Sequence, residues 1–358
     1  MNRRCAIALA ALLSSCGDGA DVAPATGFAA LPQEPYRTLA EWRLFRDPVA
    51  QTPADNVLPY TVNAPLFSDF TAKFRFVAIP PGRRITYRPD GAWTLPEGAV
   101  LVKTFSYPRD ARNLALGYRL LETRILVRTR DGLVPHTYVW NAAQTEAVRQ
   151  VAAPPVNVSW IDEAGATRTN EYIVPNTNQC LTCHGQRGLT DALAMRTDQL
   201  DRAGADGVNQ LDAMAARGWF DGALPPAAMR SHFPDVHDEG APVEARARAY
   251  LHANCGHCHN PRDRSMASVT GLNLEVSETR PSNLGVCRRP AMAGSGSGGL
   301  DYDLVPGHPE RSVMLFRMRT SDPRARMPTV GTNFNDPFGA DLVERWIRGL
   351  TGDTCGTP

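Results

Sequence analysis

The sequence predicts an α+β chain of several domains, in which a β-rich, sandwich-like N-terminal domain is followed by α-helical domains. Short strand-like runs separated by turn residues occupy the first half of the chain, and helical spacing of apolar residues appears in the second. Two Cys-x-x-Cys-His motifs, at 180–184 and 255–259, lie only in that second half. The net charge of +1 over 358 residues favours neither a nucleic acid nor a strongly acidic partner.

The N-terminus is predicted to be a lipoprotein signal peptide over residues 1–15, followed by a tether over 16–35. Two arginines precede a short apolar run, and Leu-Ser-Ser-Cys then ends at Cys16, as in a bacterial lipobox. An ordinary signal peptide cleaved nearby is the alternative. With lipid on Cys16 and Gly17 after it, we expect a periplasmic protein held at the outer membrane through its lipid anchor only.

Residues 36–175 are predicted to form the β-rich domain, either a sandwich or a twisted antiparallel sheet. The clearest strand covers 120–129, where apolar residues alternate with Glu122, Arg124 and Arg128, which predicts one face in water. Asp131-Gly132 then predicts a hairpin turn. Further strands are expected at these positions: 74–79, 100–107, 137–140 and 156–161. The lone His136 is expected at the surface.

The second half divides into a segment over 176–240 and a domain over 241–358, each built around one motif. In the first, helices are expected at 197–203 and 209–217. In the second, they are expected at 244–254, 312–320 and 341–350. The helix over 244–254 leads directly into the second motif. Tyr250 and Trp346 are candidates for the contact between the first and last helices of this domain.

A Cys-x-x-Cys-His motif is the signature of covalent c-type haem attachment. The two thiols form thioethers with the haem, and the histidine that follows is the proximal ligand of the iron. Two motifs therefore predict two c-type haems and make the helical regions cytochrome c-type. A zinc site or a thiol–disulfide site is the alternative, but it leaves the histidine after each pair unexplained. The predicted thioether cysteines are Cys180, Cys183, Cys255 and Cys258, and the predicted proximal histidines are His184 and His259.

The distal ligand of the second haem is expected from the loop before the last helix, where Arg326-Met327-Pro328 stands. A thioether ligand such as Met327 favours Fe(II) and raises the reduction potential. Met318 is the alternative, although its helical surroundings favour a place in the core.

The distal ligand of the first haem is left open by the sequence. Candidates follow the motif along the chain, and each has a structural role as an alternative. An open sixth position is a further possibility, and it would permit peroxide chemistry. The candidate ligands are Met195, Met214, Met229, His232 and His237.

Two further cysteines, Cys287 and Cys355, are left over when the signal, lipid and haem cysteines are counted. In an oxidising periplasm a disulfide between them is the simplest interpretation. Two unpaired buried thiols are the alternative.

Several stretches resemble a family of exported bacterial di-haem c-type cytochromes that carry a haem-free, β-rich N-terminal region. The resemblance covers nearly the whole mature chain and implies two bound haems and electron transfer. The site residues it implies are those of the two motifs together with Met327. This sequence departs from the expected Pro-Gly-rich pattern around 193–199. The matching stretches include Ala64–Phe70, Lys73–Arg75, Tyr138–Asn141, Asn209–Leu211, Arg246–Leu251, Gly285–Cys287, Val305–Gly307 and Arg326–Pro328.

The leading hypothesis is a periplasmic electron carrier that binds two haems and a redox partner protein, rather than a catalyst. The alternative is a di-haem peroxidase or oxidase with an open first haem, although the motifs stand only 75 residues apart. A third hypothesis is a lipoprotein whose β-rich domain binds a ligand and whose haems are structural or sensory.

Overall fold

A computed structural model describes residues 34–176, 178–180, 193–261, 267–352 and 355–356 of the chain. The signal peptide, Cys16, Cys183 and His184 lie outside these residues. Ten strands are formed in the described part of the first half. They are β1 (Phe45–Asp47), β2 (Thr52–Pro53), β3 (Val57–Pro59), β4 (Ala72–Ala78), β5 (Val100–Pro108), β6 (Tyr118–Thr129), β7 (Gly132–Trp140), β8 (Ala147–Gln150), β9 (Val156–Ile161) and β10 (Thr167–Tyr172).

Strands β3 to β8 form one six-stranded antiparallel sheet in which sequence neighbours pair throughout. The β1–β2 and β9–β10 pairs form separate two-stranded ribbons. The β-rich character predicted for this region is confirmed. The large sheet is single, so it matches the antiparallel sheet that the pattern allowed rather than a sandwich of two comparable sheets.

One face of the sheet packs against the chain that precedes β1. The residues that alternate inward on this face, such as Phe76, Val102 and Ile125, form a core with Trp42 and Leu44. Trp42 Nε1 donates a hydrogen bond of 2.6 Å to the hydroxyl of Tyr138 on β7. This face therefore accounts for the apolar half of the alternating pattern.

The opposite face is not exposed to bulk water, and the expectation of a wet face was wrong. Val77 and Leu101 on this face pack against Met195, Leu200 and other residues of the chain between 193 and 220. Farther along the same face, Glu122 is fully buried. The polar half of the pattern is real, but these side chains face the interior because other parts of the chain cover them.

Five α-helices have both ends within the described residues: α1 (Thr197–Leu200), α2 (Gln210–Ala216), α3 (Val243–Leu251), α4 (Val313–Arg319) and α5 (Pro337–Gly349). A π-helical turn, His252–Gly256, continues α3 into the second motif. The last helix begins four residues before its predicted start, because Pro337 opens it and Asp336 precedes it as the N-cap residue.

Helices α3 and α5 share a core that contains both Tyr250 and Trp346. The closest approach occurs near the start of α5. A Cβ atom built on Gly339 would lie 2.0 Å from the Tyr250 hydroxyl oxygen. The same hydroxyl donates a 2.9 Å hydrogen bond to Asp336 Oδ2. A glycine at 339 thus allows α5 to pack directly on Tyr250.

Candidate functional site

A cavity of about 1550 Å³ lies between the sheet, the chain around 193–199 and the helices of the C-terminal region. A pocket for one small ligand usually measures roughly 300–1,000 Å³. The walls combine apolar side chains with a few charged ones. The described members of both Cys-x-x-Cys-His motifs lie on these walls, so the fold brings two distant stretches of sequence to one site.

The second motif reaches the cavity through the turn that ends α3. The backbone amides of Cys258 and His259 both donate to the carbonyl oxygen of Cys255, at 3.1 and 2.9 Å. This tight turn places Cys255, Cys258 and His259 on the same wall. A π-helical turn before a functional residue is a recurrent feature of protein sites.

A neighbouring threonine orients the ring of His259. Its Nδ1 lies 3.3 Å from the hydroxyl oxygen of Thr270. A metal-ligating histidine commonly has one ring nitrogen hydrogen-bonded in this way, which orients the other nitrogen. Thr270 also donates to the carbonyl oxygen of Ala267 at 2.7 Å. The hydroxyl is thereby fixed in position beside the ring.

Met327 lines the same cavity as His259. Both residues also line a smaller, mostly apolar cavity of about 80 Å³ next to it. The Met327 amide donates a 2.8 Å hydrogen bond to the carbonyl oxygen of Arg317, which fixes the Met327 loop against the end of α4. Met318 is part of the helical core and lines both cavities as well. The structure therefore brings an imidazole and the thioethers of Met318 and Met327 to one place, and the exposed Met292 borders both cavities as well.

A segment of the β-rich region, residues 64–70, contacts both the turn of the second motif and the loop that carries Met327. The Phe67 amide donates 2.7 Å to Asn254 Oδ1, immediately before Cys255. On the other side, Asp69 Oδ1 accepts hydrogen bonds from the backbone amides of Asn333 and Phe334, at 2.7 and 2.9 Å. Asp69 is only 3% exposed. The 64–70 segment thus joins the motif turn to the loop that carries Met327.

The first motif is described only as far as Cys180, which is buried and lines the cavity. Asn176 and Gln179 cap the turn that leads into it, since each side chain accepts from the other residue's backbone amide at 2.9–3.0 Å. Cys183 and His184 lie outside the described residues.

The candidate distal ligands of the first haem fall into two groups. Met195 and His232 line the cavity. Met214 is buried in the core under the sheet, Met229 is 76% exposed, and the ring centroid of His237 lies 4.2 Å from that of Phe338, with the two rings tilted against each other. Geometry therefore places two of the five candidates at the cavity and three away from it.

Burial raises the pKa of the Cys255 thiol to about 12. Thiol–disulfide exchange needs the thiolate, so this environment does not suit that alternative. The disulfide of the structure instead joins Cys287 and Cys355, with an S–S distance of 2.07 Å, which is the pairing that the cysteine count predicted.

A row of cations on the cavity wall was missed from the sequence. Arg75, Lys103 and Arg124 stand directly opposite one another on β4, β5 and β6, and all three line the cavity. Lys73 and Lys103 are the only lysines of the chain, and both lie on this sheet face. A signal was thus available, because a chain that otherwise uses arginine for its cations places Lys103 within a predicted strand and Lys73 directly before another.

Comparison of the chain with protein-family models, with curated proteins and with solved structures gives no match. Within the described residues, no three or more His, Cys, Asp and Glu side chains gather into a metal-binding group. None of the helices built from the described residues has the length and apolar character needed to cross a membrane.

Proposed function

We propose that this protein is a di-haem c-type cytochrome that transfers electrons. The observation that carries the proposal is the shared cavity. It is lined by Cys180 of the first motif, by Cys255, Cys258 and His259 of the second, and by Met327. Its volume of about 1550 Å³ exceeds the usual range for one small ligand, which supports two prosthetic groups rather than one.

The residues present fit a c-type haem. Two thiols within one turn supply the thioether positions, and the imidazole of His259 follows them on the same wall. Met327 supplies a soft sulfur donor to the same cavity, and the cationic row supplies charge opposite in sign to the haem propionates. The alternative interpretation, a structural zinc site, would require four protein ligands, usually thiolates and imidazoles.

Haem iron, when bound, takes up and returns one electron. This chain's own part is to hold and shield the group. His259 is oriented by Thr270, and the Met327 loop is held by the 64–70 segment and by Arg317. A thioether ligand would raise the potential of the second haem above that of a bis-histidine haem. The cytochrome c-type character of the helical region and the lipid anchor on Cys16 belong to the same proposal.

The assignment of Met327 is tested by the visible spectrum of the oxidised protein. A methionine–iron charge-transfer band is expected in the parent protein and in Met318→Leu, and it is expected to disappear in Met327→Ala. Met229→Leu, at an exposed position outside the cavity, is the matched control. Loss of the band in Met318→Leu with retention in Met327→Ala would transfer the ligand role to Met318.

A further inference from the structure

The cationic row runs across the three central strands of the sheet. Arg75 of β4 pairs with Lys103 of β5, and Lys103 pairs with Arg124 of β6. Like charges directly opposite one another on neighbouring strands destabilise a sheet. The three side chains are half-buried and border the cavity rather than the outer surface. An arrangement of this kind needs a compensating negative charge.

Among the residues that the structure describes, a carboxylate forms an ion pair with one member of the row, Arg124. Glu122, which is fully buried, binds the Arg124 guanidinium at 2.5 and 2.8 Å and accepts a 2.6 Å hydrogen bond from Tyr172. Lys103 contacts the face of Phe105, with its Nζ 4.8 Å from the ring centroid.

No carboxylate among the described residues forms an ion pair with Lys103 or Arg75. The hydrogen bond of Arg75 is a long one, 3.4 Å to the carbonyl oxygen of Lys73. Burial, and then the neighbouring Arg75, Lys73 and Arg124, hold the pKa of Lys103 well below its usual range. In the part of the chain that the structure describes, Arg75 and Lys103 thus border the cavity without a carboxylate partner, and a buried positive charge left so is costly.

We infer that Arg75, Lys103 and Arg124 form a binding site for carboxylate groups inside the cavity. An arginine fork and an ammonium side by side suit planar carboxylates, which accept charge-assisted hydrogen bonds from both. Two sources of carboxylate fit this chemistry: the propionates of a haem, in which case the inference rests on the proposed function, or a free carboxylate ligand. Cys180 also lines the cavity and lies close enough to affect the pKa of Arg124, so the row belongs to the first-motif end of the cavity.

The test compares full-length protein with Lys103→Gln and Arg75→Gln. Removing a cation beside a haem carboxylate destabilises the reduced, less positive state. If propionates occupy the row, each variant should shift the redox equilibrium of one haem about tenfold towards the oxidised state. This shift lowers the reduction potential of that haem by about 59 mV for one electron. The propionate bending bands in the resonance Raman spectrum should shift as well. Lys103→Arg should restore both.

The second arm adds succinate as a simple carboxylate probe and follows binding by calorimetry. If the row serves a free ligand, the parent protein should bind succinate and Lys103→Gln should bind it at least tenfold more weakly, with haem potentials and propionate bands unchanged. Arg128→Gln is the control for both arms. It removes a cation from the same strand and the same face, but Arg128 does not line the cavity.

The inference is overturned if Lys103→Gln and Arg75→Gln match Arg128→Gln in potentials, propionate bands and succinate binding. Equal helix and strand content by circular dichroism shows that each variant is folded. A purified protein without covalent haem would overturn the proposed function. Succinate binding alone would then show whether the cationic row binds carboxylates.

Discussion

Single residues show how burial changes the chemistry of this chain. His136 was expected at the surface, but it is half-buried on β7, and its ring centroid lies 6.1 Å from that of Trp42. Burial, and then Arg149, lower the pKa of His136 from 6.5 to about 4. The unfolded chain therefore binds a proton that the folded chain does not bind between pH 6.5 and 4.

This difference in proton binding predicts a loss of stability in acid. The contribution of neutral His136 is fully present above pH 6.5 and falls as the pH drops towards 4. His136→Gln should reduce this pH-dependent loss by on the order of 1–2 kcal/mol, a value discounted for partial exposure. Thermal unfolding of both proteins at pH 7 and pH 4.5 measures it. Equal losses in the two proteins would contradict the buried, neutral state of His136.

Asp69 is a second residue whose role follows from its contacts. Its carboxylate accepts from two backbone amides of the loop after Met327, and its carbonyl oxygen accepts a 2.5 Å hydrogen bond from Tyr107. Asp69→Ala should lower the free energy of unfolding by about 2–3 kcal/mol, because two partly buried backbone amides lose a charged acceptor.

If Asp69 positions the Met327 loop, the same variant should also weaken the methionine–iron charge-transfer band. Asp90→Asn is the control, since Asp90 borders the cavity but is exposed. A fully retained band in Asp69→Ala, together with the expected loss of stability, would limit Asp69 to a structural role.

At the scale of elements, the contact between α3 and α5 depends on the absence of a side chain at 339. A Cβ there would meet the ring and hydroxyl of Tyr250 at 2.0–2.5 Å, whereas a Cβ on Gly349 of the same helix meets nothing within 4 Å. Gly339→Ala should therefore destabilise the protein by about 1–3 kcal/mol through overpacking. Gly349→Ala should stay close to the parent protein. Denaturant unfolding compares them, and equal stabilities would show that the helices separate at no cost.

The elements also show what sequence reasoning can reach. Period-two alternation located strand β6 to within two residues at each end, because local side-chain periodicity follows directly from strand geometry. The strand prediction for 100–107 and the Asp131-Gly132 turn likewise agree with β5 and with the start of β7. Alternation identifies two faces but does not say what covers each. Glu122 and Arg124 were therefore assigned to water, although distant parts of the chain enclose them.

The whole molecule is organised around contacts between parts that lie far apart in sequence. Asn333 binds Asp69 across 264 residues, and Asn254 binds Phe67 across 187. The motifs themselves were visible in the sequence because their spacing is local. The shared cavity, the 64–70 segment and the cationic row were not, since each depends on which surfaces meet in the folded chain.

This arrangement gives the β-rich region a part in the proposed site instead of leaving it as a separate module. It forms one wall of the cavity through the sheet, and it reaches the second motif through residues 64–70. We therefore expect the two halves to act together, so that haem properties respond to substitutions on the sheet.

The most direct test of the account is the number of haems bound covalently to the purified protein. Intact-protein mass and the pyridine haemochrome spectrum after acid–acetone extraction should give two haems per chain, and one haem in a Cys255→Ser/Cys258→Ser variant. Cys287→Ser/Cys355→Ser, which removes the disulfide, should retain two. Fewer than two retained haems in the parent protein, or an unchanged number in the Cys255→Ser/Cys258→Ser variant, would contradict the central claim.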